Sequence, residues 1–523
     1  MDWDYVVVGS GFGGSVCALR LVEKGYRVLV LEKGRRFAPA DFPRTNWDVK
    51  RWLWLPRLGM RGLFQMSFFR HMTVLSGVGV GGGSLVYGNT LPIPKDDFFE
   101  APSWARLAPW KDELAPHYST ARRMLGAVPN PMLGLPDHVI GEIAKDLGRP
   151  EEHHPTTVAV YFGESGKTVP DPYFGGEGPE RTGCIGCGGC MLGCRHGAKN
   201  TLDHNYLWLA ERRGLTLSAD TEVTWIRAIP GGGYEVRARV GPEFLASRRR
   251  PVRHTARNVV LAGGVLGTLA LLFRLKASRH GLPNLSDRLG WSVRTNSESL
   301  IGVTSRRRSA DFSKGIAISS ILHTDRHSHL EPVRYPEGSN FFRLLTAPHV
   351  AGRTGAQRLA RLAGIVLGHP LDYLRLLSVP DWAKHSIILL YMRTLEGCLR
   401  LRPSRGHLGA LATALDEGPA PTASIPEATD LACRVAAKID GLPSALITET
   451  LFGVPSTAHI LGGCCMGDSS ATGVIDHRHR VFGYDGLYVV DGSAISANPG
   501  VNPSLTIAAL GERAMGFVPE NSR

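Results

Sequence analysis

Four cysteines fall within eleven residues, in the order Cys184-x-x-Cys187-x-x-Cys190-x-x-x-Cys194. Thiolates at this spacing can wrap an iron–sulfur cluster, and zinc accepts similar ligand sets. Arg195 follows the last cysteine where the ferredoxin run continues with proline. Buried thiols packing a glycine-rich loop are therefore the competing reading, and both stay open at this stage. A second group is built for a different ligand. Gly9-Ser10-Gly11-Phe12-Gly13-Gly14 is followed by Glu32, eighteen residues beyond Gly14. Gly9 allows a tight turn, Gly11 lets backbone approach a pyrophosphate, and Gly14 permits close helix–strand packing. A carboxylate at Glu32 can accept from ribose hydroxyls and disfavours a 2′-phosphate, which makes NADP a poor fit. The third group is Ser76 to Ser84, with Gly79 and Gly83 among its glycines, running on through Leu85-Val86-Tyr87-Gly88 to Asn89. So many glycines imply backbone lying against a flat or extended ligand, which favours FAD over NAD.

These groups need particular elements to hold them. Asp4 to Val8 is a short apolar run of the kind buried in a parallel sheet. Ser15 to Glu23 has helical apolar spacing, Gly25 ends it, and Arg27 to Leu31 forms a second buried strand. Strand, glycine turn, helix, strand and acid thus arrive in the order a dinucleotide-binding βαβ unit requires. Asn258 to Thr268 reads as another strand, glycine turn and helix start.

At 523 residues the chain predicts two or three domains. Nine cysteines is an odd number, so a disulfide framework is not expected. No apolar run reaches the roughly 18–20 residues of a membrane span. The first strand is under way at Tyr5, which leaves no room for a signal peptide and predicts a cytoplasmic protein. The net charge of +13 is carried by scattered arginines such as Arg248-Arg249-Arg250 and Arg306-Arg307-Arg308. No nucleic-acid module surrounds them, so no nucleic-acid partner is expected. Residues 51–70 are aromatic and basic, and residues 353–378 read as a basic amphipathic helix. Both suit an apolar mouth with a cationic rim, in peripheral contact with a membrane, or alternatively inter-domain packing.

Taken with the two N-terminal glycine groups, the segments His459-Ile-Leu-Gly-Gly463, Gly486 to Ser493 and Gly500 to Ile507 complete a family pattern. The chain resembles the glucose–methanol–choline (GMC) flavoprotein oxidoreductases, within them the bacterial cholesterol oxidases that hold FAD non-covalently. The closest matches are residues 79–86, 281–286 and 500–503. The resemblance implies an α/β fold. A discontinuous Rossmann-like FAD-binding domain would take residues 1–40, 72–100, 200–300 and 457–523. A second α+β substrate domain with a mixed or antiparallel sheet would take 41–71, 101–199 and 301–456, including the Cys-rich loop 183–195. Val223 would offer backbone to adenine. Asp491 and Gly492 would approach the flavin at the N-terminus of the last helix.

Oxidising an alcohol on a flavin requires removal of the hydroxyl proton and delivery of a hydride. The resemblance places His459 as the group that takes the proton and Asn502 as its partner, an uncharged amide that can orient the alcohol. It also places Glu331 as the carboxylate that moves a double bond after oxidation, a base that needs an apolar pocket. Arg334 is near enough in sequence to pair with Glu331 instead. The expected reaction is oxidation of a bulky apolar alcohol, best a 3β-hydroxysteroid, with electrons passed to O₂. Two alternatives are a dehydrogenase that sends electrons to a protein or quinone, through a cluster at Cys184–Cys194, and a non-oxidising flavin-binding lipid isomerase.

Overall fold

A computed structural model describes residues 1–242, 249–352, 354–368, 370–372, 378–404, 410–417 and 419–522. The βαβ unit comprises β1 (Trp3–Val8), α1 (Phe12–Glu23) and β2 (Val28–Leu31). The helix starts three residues earlier than its apolar spacing suggests, because Phe12, Gly13 and Gly14 are themselves buried in its first turn. Gly25, at φ +80°, closes it.

Strands β1 and β2 sit in a seven-stranded sheet. Its path runs Thr216–Ser218, β2, β1, Arg250–Leu261, Tyr234–Val240, Thr221–Ala228, and Leu487–Val489 also pairs with Arg250–Leu261. The twelve-residue strand Arg250–Leu261 joins two regimes. Its C-terminal half lies parallel between β1 and Leu487–Val489, while its N-terminal half pairs antiparallel with Tyr234–Val240. Val6, Val7, Val30, Val259, Val260 and Leu487 are fully buried, as expected where helices cover a parallel sheet. The last helix, Ser504–Gly516, packs on α1; a Cβ on Gly511 would lie 3.2 Å from Val16 Cγ1.

A second seven-stranded sheet is antiparallel throughout. Its order is Thr346–Pro348, Gly441–Leu446, Ser299–Ser305, Ser386–Arg393, Ser328–Val333, Ser320–His323, His153–Pro155. Strand alternation gives it two different faces. Ile301, Val303, Leu322, Leu330 and Leu389 share a buried core with residues of the helices Leu135–Asp146 and Pro426–Ile439. Leu300, Gly302, Val333, Ile388 and Leu390 look the other way, onto a cavity shared with the glycine turn of the βαβ unit.

The aromatic stretch 51–70 is interior only in part: Trp52, Leu53, Trp54, Leu63 and Phe64 are buried, whereas Leu55, Leu58 and Phe68 are exposed. Trp52 stacks on Phe64 at 5.0 Å and meets Phe341 and Phe342 edge-on, while Phe64 and Phe342 also border the cavity. Of the basic stretch, Gly355–Gly368 is a helix with no buried residue, Leu359 and Leu367 being 61% and 80% exposed. Residues 353, 369 and 373–377 of that stretch lie outside the described residues, as does Arg248. Among the described residues no helix is long and apolar enough to cross a membrane.

Candidate active site

The glycine turn is shaped by close approaches. Gly9 has φ +99°, and a Cβ there would lie 2.3 Å from Ala262 O. Cβ atoms on Gly13 and Gly14 would meet Val490 O at 1.8 Å and Gly9 O at 2.2 Å. Gly11 is the exception, since a Cβ there would meet nothing within 4 Å. The turn is thus packed behind and open in front, where Gly11, Phe12 and Gly13 border the cavity. That open backbone at a helix N-terminus fits a pyrophosphate.

Glu32 does more than wait for a ribose. Its Oε2 accepts from Ser10 N and Ser10 Oγ, at 3.0 and 2.8 Å, and Oε1 accepts from Gly34 N at 2.8 Å. Burial raises its pKa against those bonds. The carboxylate therefore pins the turn, and a ribose would use its remaining lone pairs.

The second glycine group lies directly on the first. A Cβ on Gly82 would lie 2.7 Å from Gly11 Cα, and Ser10 Oγ accepts from Gly81 N. Gly79 adopts φ +140° and would place a Cβ 2.6 Å from the Phe37 ring. Gly83 faces the cavity. Ser84 ties the loop down, donating to Gly81 O and accepting from Leu202 N. Asn89 is fully buried at φ +70°, with neither side-chain heteroatom hydrogen-bonded. Val223 lies in Thr221–Ala228 opposite Ala238, and the register slips between it and Trp225. A bulge of this kind leaves backbone out of the ladder.

Asp491 and Gly492 line the cavity, but not at the start of the last helix. They form a separate short turn, Gly492–Ala494, capped by Asp491. Asp491 Oδ1 accepts from Ser493 N and Oγ, Oδ2 accepts from Thr268 Oγ1, and burial raises its pKa. The last helix begins later, at Ser504, and Asn502 immediately precedes its capping Pro503.

His459 and Asn502 border the same cavity of about 330 Å³. His459 Nδ1 donates to Glu298 Oε1 at 2.6 Å, and Glu298 Oε2 accepts from Ala458 N. Because a carboxylate only accepts, this bond places the proton on Nδ1 and leaves Nε2 as the imidazole's acceptor. Burial pulls the His459 pKa down, yet Glu298, and more weakly Glu331, outweigh it and raise the value. Glu298 has a fully buried side chain and was not anticipated. Its only trace in the sequence is a carboxylate in Thr-Asn-Ser-Glu ahead of an apolar strand. Asn296 and Ser297 turn that segment through φ +58° and +46° to aim it.

Asn502 Nδ2 donates to Glu331 Oε2 at 3.3 Å, while Asn502 Oδ1 is buried without a partner. Glu331 is 0% exposed and lies behind Asn502 rather than on the cavity wall. It is not paired with Arg334. Three residues along an extended chain reverse the side-chain direction. Arg334 meets Asp137 at 3.2 Å on the far side and also donates to Ser319 Oγ and Lys314 O.

The iron–sulfur expectation is not supported. Among the described residues no group of three or more His, Cys, Asp or Glu stands where it could hold a metal ion. Cys184 and Cys190 pack with Val158, Val160, Ala198 and Ile316. Burial pushes the Cys184 thiol up to about 12, so it stays protonated at neutral pH. Cys187 and Cys194 border the same small pocket.

Residues 419–511 match the GMC oxidoreductase family, and residues 7–71 match the NAD(P)-binding Rossmann-like domain. The chain belongs to the GMC oxidoreductases, FAD-dependent enzymes acting on CH–OH groups. Within that family it is 44% identical to a cholesterol oxidase of Acinetobacter baumannii, over 99% of this chain and 94% of that one. It is 46% identical to a cholesterol oxidase of Mycobacterium tuberculosis, over 99% and 91%. In fold it is similar to pyridoxine 4-oxidase from Mesorbium loti (TM-score 0.63, 16% identity, covering 98% and 99% of the two chains).

Proposed function

We propose that this protein oxidises a 3β-hydroxysteroid such as cholesterol to the ketone and passes the electrons to O₂, giving H₂O₂. The observation that carries the reading is the pairing of His459 with buried Glu298 at one wall of an apolar cavity that also holds Asn502 and the glycine turn. The names of the relatives supply the sterol. Bound FAD supplies the hydride acceptor. It would be held by Gly9, Ser10, Gly11, Phe12, Gly13, Gly14 and Glu32, by Gly79, Gly83, Ser84 and Asn89, by the Val223 backbone, and by Asp491, Gly492 and Asn502.

The chain's own part begins at His459 Nε2, which accepts the substrate hydroxyl proton. The resulting imidazolium is held by Glu298, which keeps the ring oriented without taking the proton itself. Asn502 positions the alcohol, and its bond to Glu331 fixes the amide. Glu331, which lies behind Asn502, would move a proton between carbons of the ketone to shift its double bond once the Asn502 amide that covers it turns aside. Leu300, Val333, Ile388 and Leu390 offer the sterol rings an apolar wall and exclude water. The division into a discontinuous FAD domain and a substrate domain has support in which strands share each sheet. The helix Gly355–Gly368, with exposed Leu359 and Leu367, suits peripheral contact with the bilayer that holds the sterol.

The test is H₂O₂ release on adding cholesterol, absent in His459→Ala with bound flavin retained. Failure of any 3β-hydroxysteroid to bleach the oxidised flavin would overturn the proposal.

A further inference from the structure

Glu331 is sealed from the cavity by Asn502, so a proton it gains or loses needs another way out. Behind it the sheet carries an uninterrupted row of imidazoles. His329 lies two residues from Glu331 on the same face, with Nε2 3.6 Å from Glu331 Oε1. His323 is the cross-strand partner of His329, with ring centroids 5.9 Å apart. His154, on the edge strand His153–Pro155, is 5.6 Å from His323. Exposure rises along the row, from His329 at 1% through half-buried His323 to exposed His154.

The row is also short of hydrogen bonds where a relay would need them. Asn502 Oδ1, Glu331 Oε1, His329 Nε2 and His323 Nδ1 are all buried atoms with no hydrogen-bond partner. Buried polar atoms are normally paired, and orphans on successive neighbouring residues leave gaps that water can bridge. Leu322 and Leu330 alternate with these residues and point into the helix-covered core. The polar row is therefore confined to one face of the sheet. Such a row is costly to bury and does no packing that leucine would not do better.

We propose that His329, His323 and His154 form a proton conduit between Glu331 and solvent, separate from the substrate's entrance. Each hop is a proton transfer only. A ring takes a proton on one nitrogen and releases one from the other, so no electrons move and one proton leaves for each that enters. An intermediate ring should rest neutral, with one donor and one acceptor. His323 meets that need: burial first, then Lys95, His329, His154 and Arg149, lower it to about 3. A sterol filling the apolar cavity would close that side to water, which is when a back route matters.

The conduit rests on the proposed role of Glu331 only for its second test. The first uses the holoenzyme with its cavity filled by the 3-ketosteroid product. The sample is moved from H₂O to D₂O at a pH where the wild-type shows a carboxylic acid band that Glu331→Gln lacks, and infrared spectroscopy follows the shift of that band. His323→Gln and His329→Gln should slow exchange by roughly tenfold or more, the scale of losing a positioned proton carrier. His323→Gln sits at the half-exposed position and carries the test if His329→Gln misfolds. Wild-type exchange rates in a folded, flavin-loaded His323→Gln variant would overturn the conduit. The second test is turnover in D₂O, where deuterium in the isomerised ketone should fall in His323→Gln. An unchanged deuterium content there would also overturn it. If the wild-type forms no isomerised ketone at all, the role of Glu331 fails, and the infrared exchange still decides the conduit.

Discussion

Replacing Glu298 with glutamine tests the active-site pair with minimal change of shape. The glutamine can still accept from His459 Nδ1, but the buried charge 2.6 Å from that nitrogen is gone. A hydrogen bond to a charged group contributes about 1.5–3 kcal/mol, against about 1 kcal/mol for a neutral one. The imidazolium that forms as the hydroxyl proton leaves loses most of this difference. At 1.36 kcal/mol per tenfold, kcat should fall by roughly 3- to 30-fold if 0.7–2 kcal/mol is lost. The pH profile carries the sharper signature. Glu298 raises the His459 pKa, so the acidic limb of kcat/KM reflects a base that holds its proton more tightly than free imidazole does. Glu298→Gln should move that limb to lower pH while lowering the plateau. The assay is steady-state H₂O₂ release across pH, with the flavin spectrum reporting retained cofactor. A variant with full flavin, wild-type kcat and an unmoved acidic limb would refute the pairing as part of the chemistry.

Glu331→Gln should leave alcohol oxidation within about tenfold of wild-type yet abolish double-bond migration, so that the unshifted ketone accumulates on chromatography. Gly11→Ala should yield a folded apoprotein with little bound flavin, because the added methyl meets no protein atom, whereas Gly13→Ala should not fold, its methyl lying 1.8 Å from Val490 O; circular dichroism and flavin per chain separate the two. Glu449 is raised to about 8 by burial, so its folded form holds the proton and its contribution to stability is complete below about pH 4.5, then is lost as pH rises toward 8. Glu449→Gln, which keeps an acceptor for Ser456 N, should therefore raise Tm relative to wild-type more at pH 9 than at pH 5, by up to about 5 kcal/mol of linked free energy. The purified protein should show flavin bands alone, and iron near four atoms per chain with a dithionite-bleached absorbance would restore the cluster reading of Cys184–Cys194.

What could be read without a structure was local. β1, the glycine turn, α1, β2 and Glu32 occupy about thirty consecutive residues, and their order follows from steric rules that act over a few bonds. The resemblance of scattered segments reached further, to His459, Asn502 and Glu331, but named residues without their partners. Those partners depend on folding. Glu298 and His459 lie 161 residues apart, and Glu331 and Asn502 lie 171 apart. No periodicity links such positions; folding sets each carboxylate directly behind the cavity-lining residue that it holds. Alternation along Ser328–Val333 puts His329 and Glu331 on the cavity face, and the chain's further course turns Arg334 toward Asp137. Spacing alone likewise could not tell ligand from packing at the four cysteines, because it fixes their order and not where the thiols point. The cofactor-binding unit is legible along the chain because its residues are sequence neighbours. Which carboxylate meets which base follows from contacts between residues far apart in the chain, and these exist only in the folded molecule.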